Sequence, residues 1–411
     1  MRAVGAVVGA LAAATVGFAP SVAAADVQSK QWYLGSMHAE QMWKVSTGKG
    51  VKVALIDTGV KADTPSLKGQ VLTDEVPKSV AYRATDDYLG HGTTMAELIA
   101  GTGAGGGLKG LAPGVKIVPY RIELEGLKGG AAEKGKTPEP EDAIRAAADT
   151  DAKIISMSFG EQAPTPKERA AIDYAASKGK LLIAAVGNEG RKAGRDDIGY
   201  PAAFPYVVGI ASADKSLTVS KFSSSGNYVD LSAPGQGFPG WCDATFRSYC
   251  DNVNGTSSAA AIASGAAALI WSAHPDWTVN QVTRSLIDTA GRTWKKNDPS
   301  RYAGYGFIRP RLVLENPNYN AGPADVDPLA KYNDGDLLAG AGSSASSSPS
   351  PSASTPSQAS EKGSTGGTSA AGSSAESSND NNTLWIALGA AAAVVVIGGG
   401  GVAVMRVRRA R

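Results

Sequence analysis

"VKVALIDTGV", residues 51–60, is an apolar run interrupted only by Lys52 that closes on Asp57 and meets the breaker pair Thr58-Gly59. A run this short, bounded by a turn signal and rich in branched side chains, predicts a strand buried on both faces. Similar runs recur as "VKIVPYRI" (115–122), "AKIISMSF" (152–159), "KLLIAAVGN" (180–188) and "YVVGIAS" (206–212), with helical patterning at 139–150 and 166–178. Strands alternating with helices predict βαβ units, hence an α/β fold: a mostly parallel twisted sheet with helices on both faces. Functional groups in such sheets gather at the carboxyl ends of the strands. Asp57 is then a carboxylate at the rim of a buried sheet, where an unpaired charge is costly and a partner is expected.

The chain has 411 residues, 43% hydrophobic and 19% charged, enough for one large domain with appendages. A net charge of +2 gives no basic field that would point to nucleic acid. The two cysteines, Cys242 and Cys250, stand close together. Paired, they form a local clip worth about 2 to 3 kcal/mol; unpaired, they are two buried thiols. The chain termini favour pairing, because they place this segment outside the reducing cytosol.

Residues 1–25 carry Arg2, an apolar run and Ala23-Ala24-Ala25 before Asp26, the pattern of a secretory signal peptide. Residues 383–405 are uncharged and precede the basic tail "RVRRAR" (406–411). As a helix that segment spans roughly 34 Å, enough to cross a bilayer. The arginines behind it place the C-terminus in the cytoplasm and the remainder outside, and they disfavour the other reading, a lipid-anchor signal. Residues 341–382, nearly all Ser, Ala, Gly, Thr and Pro, read as an extended tether through a cell wall. This leaves a lead-in arm at 26–49, a main domain at 50–316 and a C-terminal extension at 317–340.

Gly101, Gly103 and Gly106 match the G-x-G-x-x-G spacing, but they trail a helical pattern and precede a strand, the reverse of a dinucleotide site. They read as a flexible connection. Three histidines occur. His38 lies in the lead-in arm, and His274 precedes Pro275 at a helix end, where a capping or surface role is ordinary. His91, in "GHGTTMAELIAG", stands at the mouth of a helix whose apolar face is Met95, Leu98 and Ile99. Ser257, in "NGTSSAAAIASG", opens a long helix of small residues, where backbone N–H groups and the positive dipole end suit a developing oxyanion. It is also a plausible helix cap, and Asn254-Gly255-Thr256 fits a glycosylation acceptor. Together, Asp57, His91 and Ser257 make the carboxylate, imidazole and hydroxyl set that activates a serine. Asp86 and Asp87 are rival carboxylates in a polar, Gly-flanked loop and read as solvated.

"ALIDTGV", "GHGTTMAELIAG" and "NGTSSAAA" resemble, in order and in wording, the three signature segments of subtilisin-like serine proteases (peptidase S8). "AAVGNEG" adds a fourth likeness, and the resemblance spans roughly residues 50–316. It implies a serine endopeptidase in which Asp57 orients His91, His91 activates Ser257, and Asn188 supplies the oxyanion-hole amide. It implies that Ser156, Met157, Ser158, Phe159 and Gly160 on one side, and Ala184, Ala185, Val186 and Gly187 on the other, form the edges of the substrate cleft. No cofactor or metal is implied: family members often bind calcium, but this sequence shows no compact Asp/Asn ligand loop. One departure is Ala261, where the family usually has proline. The signal peptide, lead-in, tether and terminal helix look more narrowly like mycosins, the membrane-anchored proteases of actinobacterial type VII secretion systems. That likeness implies protein or peptide substrates and secretion-complex membrane partners. It also admits a second reading, a mainly structural member of that complex with proteolysis secondary.

Overall fold

The computed structural model describes residues 27–333 except 125, 161–162 and 191–197. The signal peptide, tether, membrane helix and basic tail expected from the sequence lie outside the described residues. Six strands, β1 (Lys52–Asp57), β2 (Lys116–Arg121), β3 (Ile154–Met157), β4 (Leu181–Ala185), β5 (Val207–Ala213) and β6 (Leu231–Pro234), form one sheet. Its order is β2-β1-β3-β4-β5-β6, and every neighbouring pair is parallel. The apolar runs become these strands because both faces are covered, so no alternation with polar residues is required.

The helices are α1 (Trp32–Ser36), α2 (Ala39–Trp43), α3 (His91–Ala100), α4 (Gly130–Lys134), α5 (Pro140–Ala148), α6 (Pro166–Ser177), α7 (Thr256–Ala273), α8 (Val279–Thr289) and α9 (Arg311–Leu314). Val53, Leu55, Ile154, Ile183 and Ile210 face α3, α7, α8 and the lead-in arm in one core. Ala54, Ile56, Ile155, Leu182 and Val207 face α5 and α6 in the other. Local chemistry sets the helix starts: Thr165 caps α6 ahead of Pro166, and Thr278 with Gln281 forms a capping box on α8.

Helix α7 runs through the first core, and its small residues let neighbours approach closely. A Cβ on Gly265 would sit 3.2 Å from the Leu111 side chain. Among the described residues it is the one helix long and apolar enough to cross a membrane, and it is buried within the domain.

An antiparallel hairpin, β7 (Gln236–Trp241) and β8 (Tyr249–Asn254), precedes α7. The sulfurs of Cys242 and Cys250 lie at bonding distance, 2.09 Å, across it. The lead-in arm is stitched to the domain. Tyr33 and Met42 are fully buried, Trp32 Nε1 donates to Gln236 O, and Trp43 Nε1 donates to Leu111 O. Gln28 Nε2 donates to Gly103 O and Gly107 O, so the glycine run is where the arm docks. Residues 317–333 also pack on the domain, with Arg284 donating to Ala321 O and Pro323 O, and Leu329 buried.

Candidate active site

Asp57 closes β1 at the carboxyl edge of the sheet, fully buried. Its Oδ1 accepts the Thr58 backbone N–H at 2.7 Å and faces His91 Nδ1 at 2.7 Å. His91 opens α3, and its Nε2 lies 3.0 Å from Ser257 Oγ in the first turn of α7. Three elements far apart in sequence thus deliver a carboxylate, an imidazole and a hydroxyl into one hydrogen-bonded line. Helix α3 approaches β1 this closely because position 92 is glycine: a Cβ there would lie 2.1 Å from Gly59 O. Gly255 similarly keeps the hydroxyl clear, since a Cβ on it would stand 2.8 Å from Ser257 Oγ.

Burial pushes the His91 pKa down, but the Asp57 charge and hydrogen bond, with the charge of Asp87, outweigh it and leave it raised. A base must be neutral to accept a proton, so this arrangement strengthens the base while requiring a higher pH to free it.

Asn188 lies just beyond the end of β4. Its Oδ1 accepts the Thr256 N–H at 3.0 Å and the Thr256 hydroxyl at 3.1 Å. A backbone N–H only donates, which fixes the oxygen end of the amide against Thr256 and makes the Nδ2 end the available donor. Thr256 also accepts the Gly187 N–H at 3.2 Å, so it anchors this loop to the start of α7. Sequence reasoning gave Thr256 a place only in a glycosylation triplet; its position beside Ser257 was the signal for this anchoring role.

One expectation is corrected. Asp87 is not solvated: it is 3% exposed and accepts five hydrogen bonds, from Thr58, Leu89, Gly90 and, twice, Thr93. The first turn of α3 supplies Thr93 to it, while Leu89 and Gly90 turn their backbone N–H groups inward. Asp86, by contrast, is partly exposed and pairs with Arg83.

The residues expected at the cleft edges lie at and just past the carboxyl ends of β3 and β4. Ser156, Met157 and Ala184 are fully buried in strands hydrogen-bonded on both sides, and Ala185 and Val186 are buried in the two cores. Past the strand ends stand Ser158, Phe159 and Gly160 after β3, and Val186 and Gly187 with Asn188 after β4. Ser158 Oγ is buried without a hydrogen-bond partner. Ala261 continues α7, fully buried. His274 ends α7 and stacks on Trp277 at 3.9 Å. Among the described residues no cluster of three metal-binding side chains occurs.

A parallel α/β sheet presenting this line of groups at its carboxyl edge defines a serine hydrolase. The chain belongs to the subtilase family, peptidase S8, whose model matches residues 48–306, and it is a subtilisin-like serine endopeptidase. It is 34% identical to subtilisin E of Bacillus subtilis (strain 168) over 273 residues, 66% of this chain and 67% of that protein. In fold it is similar to the MycP3 protease from the type VII (ESX-3) secretion system, with TM-score 0.54, 26% identity and coverage of 73% of this chain and 90% of the other. MycP1 from Mycobacterium smegmatis shares the fold at TM-score 0.55 and 24% identity, over 71% of this chain and 86% of that one.

Proposed function

We propose that the chain cleaves peptide bonds with Asp57, His91 and Ser257 as its triad, outside the cell and anchored to the membrane. The observation that carries the reading is the unbroken line Asp57 Oδ1, His91, Ser257 Oγ, with spacings of 2.7 and 3.0 Å. His91 Nε2 takes the hydroxyl proton as Ser257 Oγ attacks the carbonyl carbon, then donates it to the leaving amine. Asp57 holds the Nδ1–H tautomer and stabilises the imidazolium. The Asn188 Nδ2 and the Ser257 backbone N–H bind the oxyanion. An extended peptide lies between Ser158–Gly160 and Gly187, adding as a strand beyond the sheet's carboxyl edge.

Residues 1–25 direct export, 341–382 span the wall, and 383–405 anchor the domain, with 406–411 in the cytoplasm. The resemblance to mycosins supports a place in a type VII secretion system, acting on its secreted proteins. A fluorophosphonate probe is expected to label the wild type and not Ser257→Ala, with peptide hydrolysis reduced to background in the variant. Label retained in Ser257→Ala, or turnover without Ser257, overturns the assignment. Secretion that survives Ser257→Ala but not deletion of the protein would favour the structural role over proteolysis.

A further inference from the structure

Asp87 is buried yet belongs to no step of that mechanism. Its Oδ2 accepts the Thr93 N–H at 2.8 Å and the Thr93 hydroxyl at 2.6 Å, inside the first turn of α3. Its Oδ1 accepts Leu89 N–H at 3.0 Å, Gly90 N–H at 2.8 Å and the Thr58 hydroxyl at 2.8 Å. Burial pushes the Asp87 pKa up, opposed by three backbone N–H groups and two hydroxyls that converge on it and favour the anion.

Thr58 is the junction. Its Oγ1 accepts the Gly92 N–H at 3.0 Å and lies 3.2 Å from Asp57 Oδ1, the oxygen that faces His91. A hydroxyl has one proton, and two carboxylates compete for this one. The shorter contact takes it, so the proton points to Asp87. Asp57 Oδ1 is then left with two donors, the Thr58 N–H and His91 Nδ1–H. If the charge on Asp87 is removed, the hydroxyl is free to turn and become a third donor to Asp57 Oδ1. Its negative charge would then be shared away from the imidazole.

We infer that Asp87 is a positioning residue for the triad: acting through the Thr58 hydroxyl, it reserves Asp57 Oδ1 for His91 and fixes the turn from which His91 projects. The inference rests on the triad reading above. The groups facing the imidazole are Asp57 at Nδ1, Ser257 at Nε2 and Asp87 behind the start of α3. Tyr88 and Arg121 lie on the β2 side, the guanidinium 5.0 Å from the phenol ring.

The test uses the full-length chain labelled with [15N]histidine. His91 titration by NMR is followed together with kcat and KM across pH. Asp87→Asn is expected to lower kcat about 10- to 100-fold with little change in KM, and to move both the His91 titration and the acid limb of kcat/KM to lower pH. Asp86→Asn removes the same charge one residue away and is expected to move neither. In a Thr58→Val background the effect of Asp87→Asn on His91 should shrink, because the relay is gone.

A folded Asp87→Asn with wild-type His91 titration and kcat overturns the inference, as does an undiminished effect in the Thr58→Val background. If Asp87→Asn does not fold, Thr58→Val and Thr58→Ser carry the test. Valine strips the acceptor from the Gly92 N–H and serine keeps it, so loss of kcat with valine and recovery with serine is expected, and equal kcat in the two overturns the placing of His91 through this turn. Failure of wild-type Ser257 to take the fluorophosphonate sinks the triad reading separately, while the His91 titration still decides the role of Asp87.

Discussion

A serine hydroxyl is a weak nucleophile at its ordinary pKa, so Ser257 depends on what surrounds it. His91 supplies the base, and the oxyanion donors supply stabilisation that is realised only when the carbonyl becomes tetrahedral. Replacing Asn188 by Ala is therefore expected to lower kcat by about 10² to 10³ with KM nearly unchanged. Steady-state kinetics on one peptide checks this, and a change confined to KM would make Asn188 a wall of the cleft only. At this scale the candidate set Asp57, His91 and Ser257 was legible because histidines are few and His91 follows a strand-end carboxylate at the mouth of an apolar helix. Asp87 and Thr256 were not. Their roles come from partners 29 residues away at Thr58 and 68 residues away at Asn188, which no local pattern encodes.

Among the elements, the long apolar strands were readable because burial on both faces writes itself as a continuous run. β6 was missed: its four residues, Leu231–Pro234, are too short to show a pattern. So was the β7–β8 hairpin, whose register shifts around Phe238 break the alternation. Glu97 was hidden inside an apolar helical pattern. It is fully buried in α3 and accepts bonds from Thr64 and Tyr249, and burial pushes its pKa up to about 7. Another buried acid precedes β6. Asp230 accepts the Gly209 N–H at 2.8 Å and faces Asn333 Nδ2 at 3.1 Å, and burial raises its pKa to about 8. A carboxyl whose folded pKa is raised binds its proton more tightly folded than unfolded. Its stabilising contribution is present below the unfolded value near 4 and is lost as pH rises towards about 8. Asp230→Asn keeps an acceptor for Gly209, and a turned Asn333 amide offers its oxygen, now without a partner, to the new NH₂. The variant is expected to be more stable than wild type at pH 8 by on the order of 1 to 3 kcal/mol, the advantage fading towards pH 4. Urea unfolding at the two pH values measures it, and an advantage independent of pH would mean that Asp230 is not the group responsible.

At the scale of the whole molecule, the question is whether the lead-in arm is a detachable inhibitor or part of the enzyme. Subtilisin-like proteases commonly carry a folded pro-domain ahead of the catalytic domain. The described part of the arm, from Val27 onward, is anchored to the domain. Tyr33 packs edge-on to Phe238 with ring centroids 5.4 Å apart, Trp32 stands 6.4 Å from the same ring, and Met42 is fully buried in the core that holds α3 and α7. Gln31 receives the Lys109 N–H and returns a bond to Lys109 O, both at 2.8 Å. Releasing the arm would expose Phe238 and strip partners from several carbonyls, costing on the order of 1 to 3 kcal/mol for each buried aromatic before any hydrogen bond is counted. The contacts lie on the core that carries the helices of His91 and Ser257, so the arm braces the elements that hold the site. We therefore expect the mature chain to keep it. N-terminal sequencing of wild type and Ser257→Ala from the same host should give the same first residue, near Asp26, set by signal peptidase. If the active enzyme alone begins near Gly50, the chain processes itself and the arm is a leaving group, not a brace.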